Sequence, residues 1–144
     1  MAIVKYGPFT ARASALLPAG NAYDSTAPSI DTSAFSSLTF WPKYTPATTA
    51  SGISVKAQVS PDGTTWYPAP IADSTLAKSG LAATITNYAE TVTWPVTSGT
   101  TAIELAPFRI DVSDFLCARI LAAETTQPGS RGTLAIAATA TGMQ

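Results

Sequence analysis

Residues Ile53 to Pro68, ISVKAQVSPDGTTWYP, spell out a strand, a tight turn and the start of a second strand in one short stretch. Ile53, Val55, Ala57 and Val59 alternate with Ser54, Lys56, Gln58 and Ser60, the period-two pattern of a strand that buries one face. Ser60-Pro61-Asp62-Gly63 turns the chain. Pro61 brings a fixed φ to the first central position, Asp62 suits the second, and Gly63 accepts a positive φ without steric cost. Trp66 and Tyr67 open the returning strand, and its register decides where the indole goes. A loop of about four residues sets Trp66 opposite Val59 in the core; a shorter loop with a bulge at Gly63 sets it beside Gln58 on the open face. The core placement is preferred, because an exposed indole without a partner is a liability.

On the N-terminal side, Met1 to Thr10 contains Gly7-Pro8, Tyr6 and Phe9 without sustained periodicity, and reads as an extended arm that lies on a neighbour. Residues 11–144 read as a single domain. Ala11 to Leu17 forms a first strand, ended by Pro18-Ala19-Gly20. Phe35 to Tyr44 is a second, with Leu38 and Phe40 on one face and Trp41 on the other, and Pro42 marks it as an edge or terminating strand. On the C-terminal side, Ala69 to Asn87 shows no clear period and exceeds the usual loop length. Val92, Trp94 and Val96 then alternate inward, Thr101 to Ala106 is a short strand, and Phe108, Ile110 and Val112 alternate against Arg109, Asp111 and Ser113. Phe115 to Ala123 and Thr133 to Thr141 close the chain around a turn at Pro128-Gly129. The expectation is an all-β chain, an antiparallel β-sandwich of jelly-roll type with about eight or nine strands and no internal repeat.

Composition agrees. Across 144 residues, 46% are hydrophobic and only 12% charged, with 26 Ala, 22 Thr and 14 Ser, a mixture that suits strands and loops and leaves the surface nearly neutral. The net charge of −1 comes with scattered basic residues and no cluster, which argues against nucleic acid as a partner. No run of apolar residues is long enough for a membrane span or a signal peptide, so synthesis and folding in a cytoplasm are expected.

Reaction chemistry is sparse. The chain has no histidine, which removes the commonest general base and metal ligand. Asp111 and Asp114 stand close in sequence, but DVSD at a strand end reads as a solvated turn, since a calcium loop needs more oxygen ligands. Cys117, the single cysteine, lies in an apolar strand and reads as a buried, inert thiol. Asp62 beside Trp66 and Tyr67 has the outline of a sugar platform, yet the turn alone demands an aspartate there. Phosphate-binding glycine loops are missing. The chain is expected not to be an enzyme, and to need no cofactor and no metal.

The run VKAQVSPDGTTWYP, followed by the late strands CARILA and TLAIAATATG, resembles the pattern of small β-sandwich structural proteins of tailed bacteriophages, with capsid decoration or cement proteins nearest. The same hairpin and the Arg-bearing late strand also resemble discoidin-type, galactose-binding-like sandwiches, which often bind glycans, although the disulfide that commonly pins their termini is missing. The phage resemblance implies a virion protein on the capsid surface that bridges subunits of the major capsid protein, as a trimer or as clustered copies. The alternative it leaves open is a carbohydrate-binding or receptor-binding module of a tail or fibre. Contact candidates are Tyr6 and Phe9 on the arm, Trp41 on the open face of the second strand, and Ile71, Leu76 and Leu81 in the irregular segment.

Overall fold

The alternation that marks Ile53 to Val59 recurs along Ser37–Thr45 and Cys117–Glu124, and it stacks two antiparallel sheets with their apolar sides together. The computed structural model describes residues 3–47, 51–69, 71–73, 84–86, 91–97, 100–125 and 130–143, and among these the chain is all-β. The first sheet runs β1 (Ile3–Leu16), β12 (Thr133–Met143), β3 (Ser37–Thr45), β10 (Phe108–Asp111) and β6 (Ile71–Asp73), with β9 (Ile103–Glu104) also paired to β3. The second runs β2 (Ile30–Asp31), β11 (Cys117–Glu124), β4 (Ser51–Ser60), β8 (Thr91–Thr97) and β7 (Thr84–Thr86), with β5 (Tyr67–Pro68) also paired to β4.

Between the sheets lie Leu38, Phe40 and Tyr44 of β3, Ile53, Val55, Ala57 and Val59 of β4, Phe108 and Ile110 of β10, Ile120 of β11, and Leu134 and Ile136 of β12, all buried. Each large side chain removed from water here contributes about 1.5–3 kcal/mol. Trp94 belongs to this core at 1% exposure, with its ring centroid 5.9 Å from that of Phe108 and its indole N–H donating to the Ala106 carbonyl at 3.2 Å.

Two corners carry the chain from one sheet to the other by the same device. At Ile30-Asp31-Thr32-Ser33-Ala34-Phe35, the Asp31 Oδ1 accepts the Ser33 N–H at 2.9 Å and hydroxyl at 2.7 Å, and the Phe35 N–H closes on the Thr32 carbonyl at 2.9 Å. At Ile110-Asp111-Val112-Ser113-Asp114-Phe115, Asp111 and Ser113 repeat those bonds at 2.9 and 2.6 Å, and Phe115 closes on Val112 at 3.1 Å. The corners also bond to each other reciprocally: the Thr32 N–H donates to the Leu116 carbonyl at 2.8 Å, and the Val112 N–H to the Ser36 carbonyl at 3.0 Å. The flanking strands follow suit. β2, β3 and β4 alternate between sheets as β10, β11 and β12 do, and the pair β3–β12 has its counterpart in β11–β4. The chain therefore uses one corner twice, with the pairing of the flanking strands repeated around it.

Three expectations are revised. The residues read as an arm form, from Ile3 onward, the first half of β1, paired along its length with β12. Register shifts after Tyr6, Thr10 and Arg12 insert extra residues, so Tyr6, Phe9 and Arg12, three apart, stand opposite the core-facing Ala140, Ala138 and Ile136. This spacing hides the period of two. Pro42 sits in an interior strand, with its carbonyl accepting the Leu105 N–H at 3.1 Å where β3 passes from β9 to β10. Its missing N–H thus falls at a break in the ladder. Finally, the irregular Ala69 to Asn87 segment supplies β6 to the first sheet and β7 to the second.

Candidate functional site

The buried polar groups of the sandwich are satisfied by structure. Arg12, 8% exposed, directs all five N–H groups at acceptors: Nε and Nη2 fork the Asp24 carboxylate at 3.0 Å each, Nη1 reaches the carbonyls of Ala15 and Leu134, and Nη2 also reaches Leu16. Asp24 in turn accepts the Ala122 N–H at 3.0 Å and donates its own N–H to the Ala122 carbonyl at 2.9 Å, extending the edge of β11 beyond β2. Glu124 is buried and accepts from the Tyr44 hydroxyl and, at 3.0 Å, from the Gly132 N–H. A Cβ on Gly132 would come within 2.5 Å of the Tyr44 ring and 2.9 Å of the Glu124 carboxylate, so only glycine fits. Among the described residues no group of His, Cys, Asp or Glu is arranged to hold a metal ion.

The hairpin loop is longer than either register weighed for it. Val59 faces Tyr67, and Asp62 organises the intervening turn by accepting the N–H groups of Thr64 and Thr65 at 2.9 and 2.8 Å and the Ser60 hydroxyl at 3.0 Å. The Thr65 and Thr64 backbone bonds hold the Asp62 carboxyl well below the usual carboxylate range. The Ser33 and Ser113 hydroxyls and N–H groups do the same, to a lesser degree, for Asp31 and Asp111. Asp62 is thus committed to the turn. Trp66 does not enter the core: it is half-buried on the outer face of the second sheet, its ring centroid 4.2 Å from the Arg119 guanidinium carbon.

That outer face carries the side chains that alternate away from the core. Gln58 of β4 pairs with Arg119 of β11, and Gln58 Oε1 accepts the Arg119 Nε–H at 2.8 Å. One step along, Lys56 pairs with Leu121, and its ammonium stands 4.4 Å from the centroid of Tyr23, whose hydroxyl is 2.7 Å from Ser54 Oγ. Cys117 lies on this face as well and is only partly buried, because Ala118 and Ile120 take the inward positions.

The outer face of the first sheet is plainer. Ser37, Thr39, Trp41 and Lys43 of β3 run beside Ala135, Ala137, Thr139 and Thr141 of β12. Trp41 is 46% exposed, its indole orientation set by an N–H bond to Thr139 Oγ1 at 2.9 Å. Of the contact candidates, Trp41 therefore stands on open surface. Tyr6 and Phe9 instead turn inward onto Phe35, with ring centroids 5.0 and 6.2 Å from it, and pack against the core. Ile71 lies in β6, with its side chain outside the described residues, as are Leu76 and Leu81 entirely. Sequence reasoning missed Tyr23, Lys56 and Arg119 as a group. The alternation of β4 placed Lys56 and Gln58 outward, and the same alternation in CARIL placed Arg119 beside them.

No protein-family model matches this chain, and no curated protein matches its sequence. Among solved structures, the SPBc2 prophage-derived protein YomS is similar in fold, with a TM-score of 0.51 and 13% identity, over 98% of this chain and 96% of that one. The likeness thus runs through the whole sandwich.

Proposed function

We propose that this chain is a non-enzymatic structural protein of a bacteriophage particle, seated on the outside of the head, where it bridges and stabilises subunits of the major capsid protein. The observation that carries this reading is a fold shared end to end with a prophage-derived protein. We read the order β1-β12-β3-β10 over β2-β11-β4-β8 as a jelly roll, an arrangement that viral capsid proteins and lectins use. The surface suits the role: hydroxyl-rich, nearly neutral faces pack against a partner without a large charge-desolvation cost. Copies held side by side, as a trimer or a cluster, need only weak individual contacts. Purified chain added to heads that lack it is expected to co-sediment with them and to raise their melting temperature. Heads that melt unchanged in its presence contradict the reading.

A second reading, a carbohydrate-binding module of a tail or fibre, is favoured by Trp41, whose exposed and hydrogen-bonded indole offers a flat platform. It requires glycan-array signals that disappear in the W41A variant. An array without signals removes it.

A further inference from the structure

Arg12 and Arg119 use the same five N–H donors differently. Arg12 places all of them on internal acceptors. Arg119 bonds through Nε alone, to Gln58, and its Nη1 and Nη2 groups have no protein acceptor among the described residues. The guanidinium is nevertheless held in place, 4.2 Å from the Trp66 centroid. Lys56 repeats the pattern over Tyr23 at 4.4 Å. Gln58 faces Arg119 and Lys56 faces Leu121, so the two cations are diagonal neighbours, with backbones about 7–8 Å apart.

Among the described residues neither cation has a carboxylate within ion-pair distance; Arg12 pairs with Asp24 and Lys43 with Glu104. The acidic groups at the near end of the face, Asp31 and Asp62, spend Oδ1 on bonds within their own turns and form no ion pair with either cation among the described residues. Two neighbouring cations fixed in advance by aromatic rings, neither ion-paired among the described residues, make a receptor for paired negative charge. A free guanidinium fork matches the two oxygens of a carboxylate. The flanking Trp66 and Tyr23 are of the aromatic types enriched among the residues that dominate protein–protein contact energies.

We infer that the outer face of the second sheet is a docking surface for an acidic segment of a partner protein, with Arg119 forking one carboxylate and Lys56 meeting a second. That the partner is a capsid subunit rests on the proposed function; the acidic chemistry does not.

The test titrates the full chain with a hexaglutamate peptide at low ionic strength by calorimetry. Saturable binding is expected, weakened by added salt. It should be about tenfold weaker or worse in the K56Q/R119Q variant, the loss of one or more charge-assisted bonds, and reduced less in R119K. Thermal melting of both variants shows that they fold. A wild-type chain that ignores the peptide, a folded double variant that binds it equally, or binding of an oligogalacturonate in its place each overturns the inference. Sedimentation with heads separates the two claims. If heads bind wild type and double variant alike, the docking surface falls and the capsid reading stands; if the peptide binds and heads do not, the reverse holds.

Discussion

Two arginines divide this molecule into a part that holds itself together and a part that faces outward. Arg12 lies in the bulged edge strand, forks Asp24, and ties the long connection after β1 to both sheets through Leu134 and, by way of Asp24, Ala122. Arg119 projects from the middle of a regular strand, rests against an indole, and leaves its fork open. Burial decides the difference. A guanidinium out of water must satisfy every donor or carry a penalty of several kcal/mol, whereas one at the surface can leave donors to solvent or to a partner.

The largest effect should come from breaking the inward arrangement. Asp24→Ala strands a buried guanidinium, and urea unfolding should show a loss of about 3–5 kcal/mol. Combining it with Arg12→Met should cost less than the sum of the two single variants, because the pair then leaves together. Next come the two corners. Phe35 packs against Tyr6 and Phe9, while no ring pair involves Phe115 among the described residues. Phe35→Ala should therefore cost about 1 kcal/mol more than Phe115→Ala in the same assay. Arg119→Ala should cost only about 0.5–1 kcal/mol, the worth of an exposed cation–π contact, while weakening acidic-peptide binding. A large stability loss there would erase the contrast between the two arginines.

Acid provides the finest probe. Asp31, Asp62 and Asp111 have folded values below the ordinary 3.8, so each contributes stability that is fully present above that value and is lost as pH falls through the lowered one. Melting temperature should drop between about pH 4 and about pH 2, and Asp62→Asn should flatten that drop. An unchanged slope in the variant would show that the turn bonds carry no such linkage.

Much of the fold was legible because alternation survives wherever a strand is regular. The inward set of β4, the inward Trp94 and the outward Trp41 all follow from it. What escaped reading did so where geometry breaks the period. Register shifts in β1 put Tyr6, Phe9 and Arg12 at a spacing of three, which reads as no pattern at all. The repeated corner was visible as Ile-Asp-x-Ser-x-Phe at Ile30 and Ile110, but the signal is short and its halves lie far apart in the chain. The core placement preferred for Trp66 rests on the cost of an exposed indole without a partner; the Asp62 and Ser60 bonds build a longer loop, and the open-face cation supplies that partner. The Arg119 and Lys56 cluster needed the cross-strand register and the position of Tyr23, which no local pattern encodes.

The seat proposed for this sandwich is the outside of a phage head, against capsid subunits. An electron cryo-microscopy map of the particle that carries the chain tests it most directly. Repeated copies are expected on the outer head surface, with the Lys56–Arg119 face turned toward acidic side chains of the capsid protein. Copies confined to the tail, or absent from the particle, would contradict it.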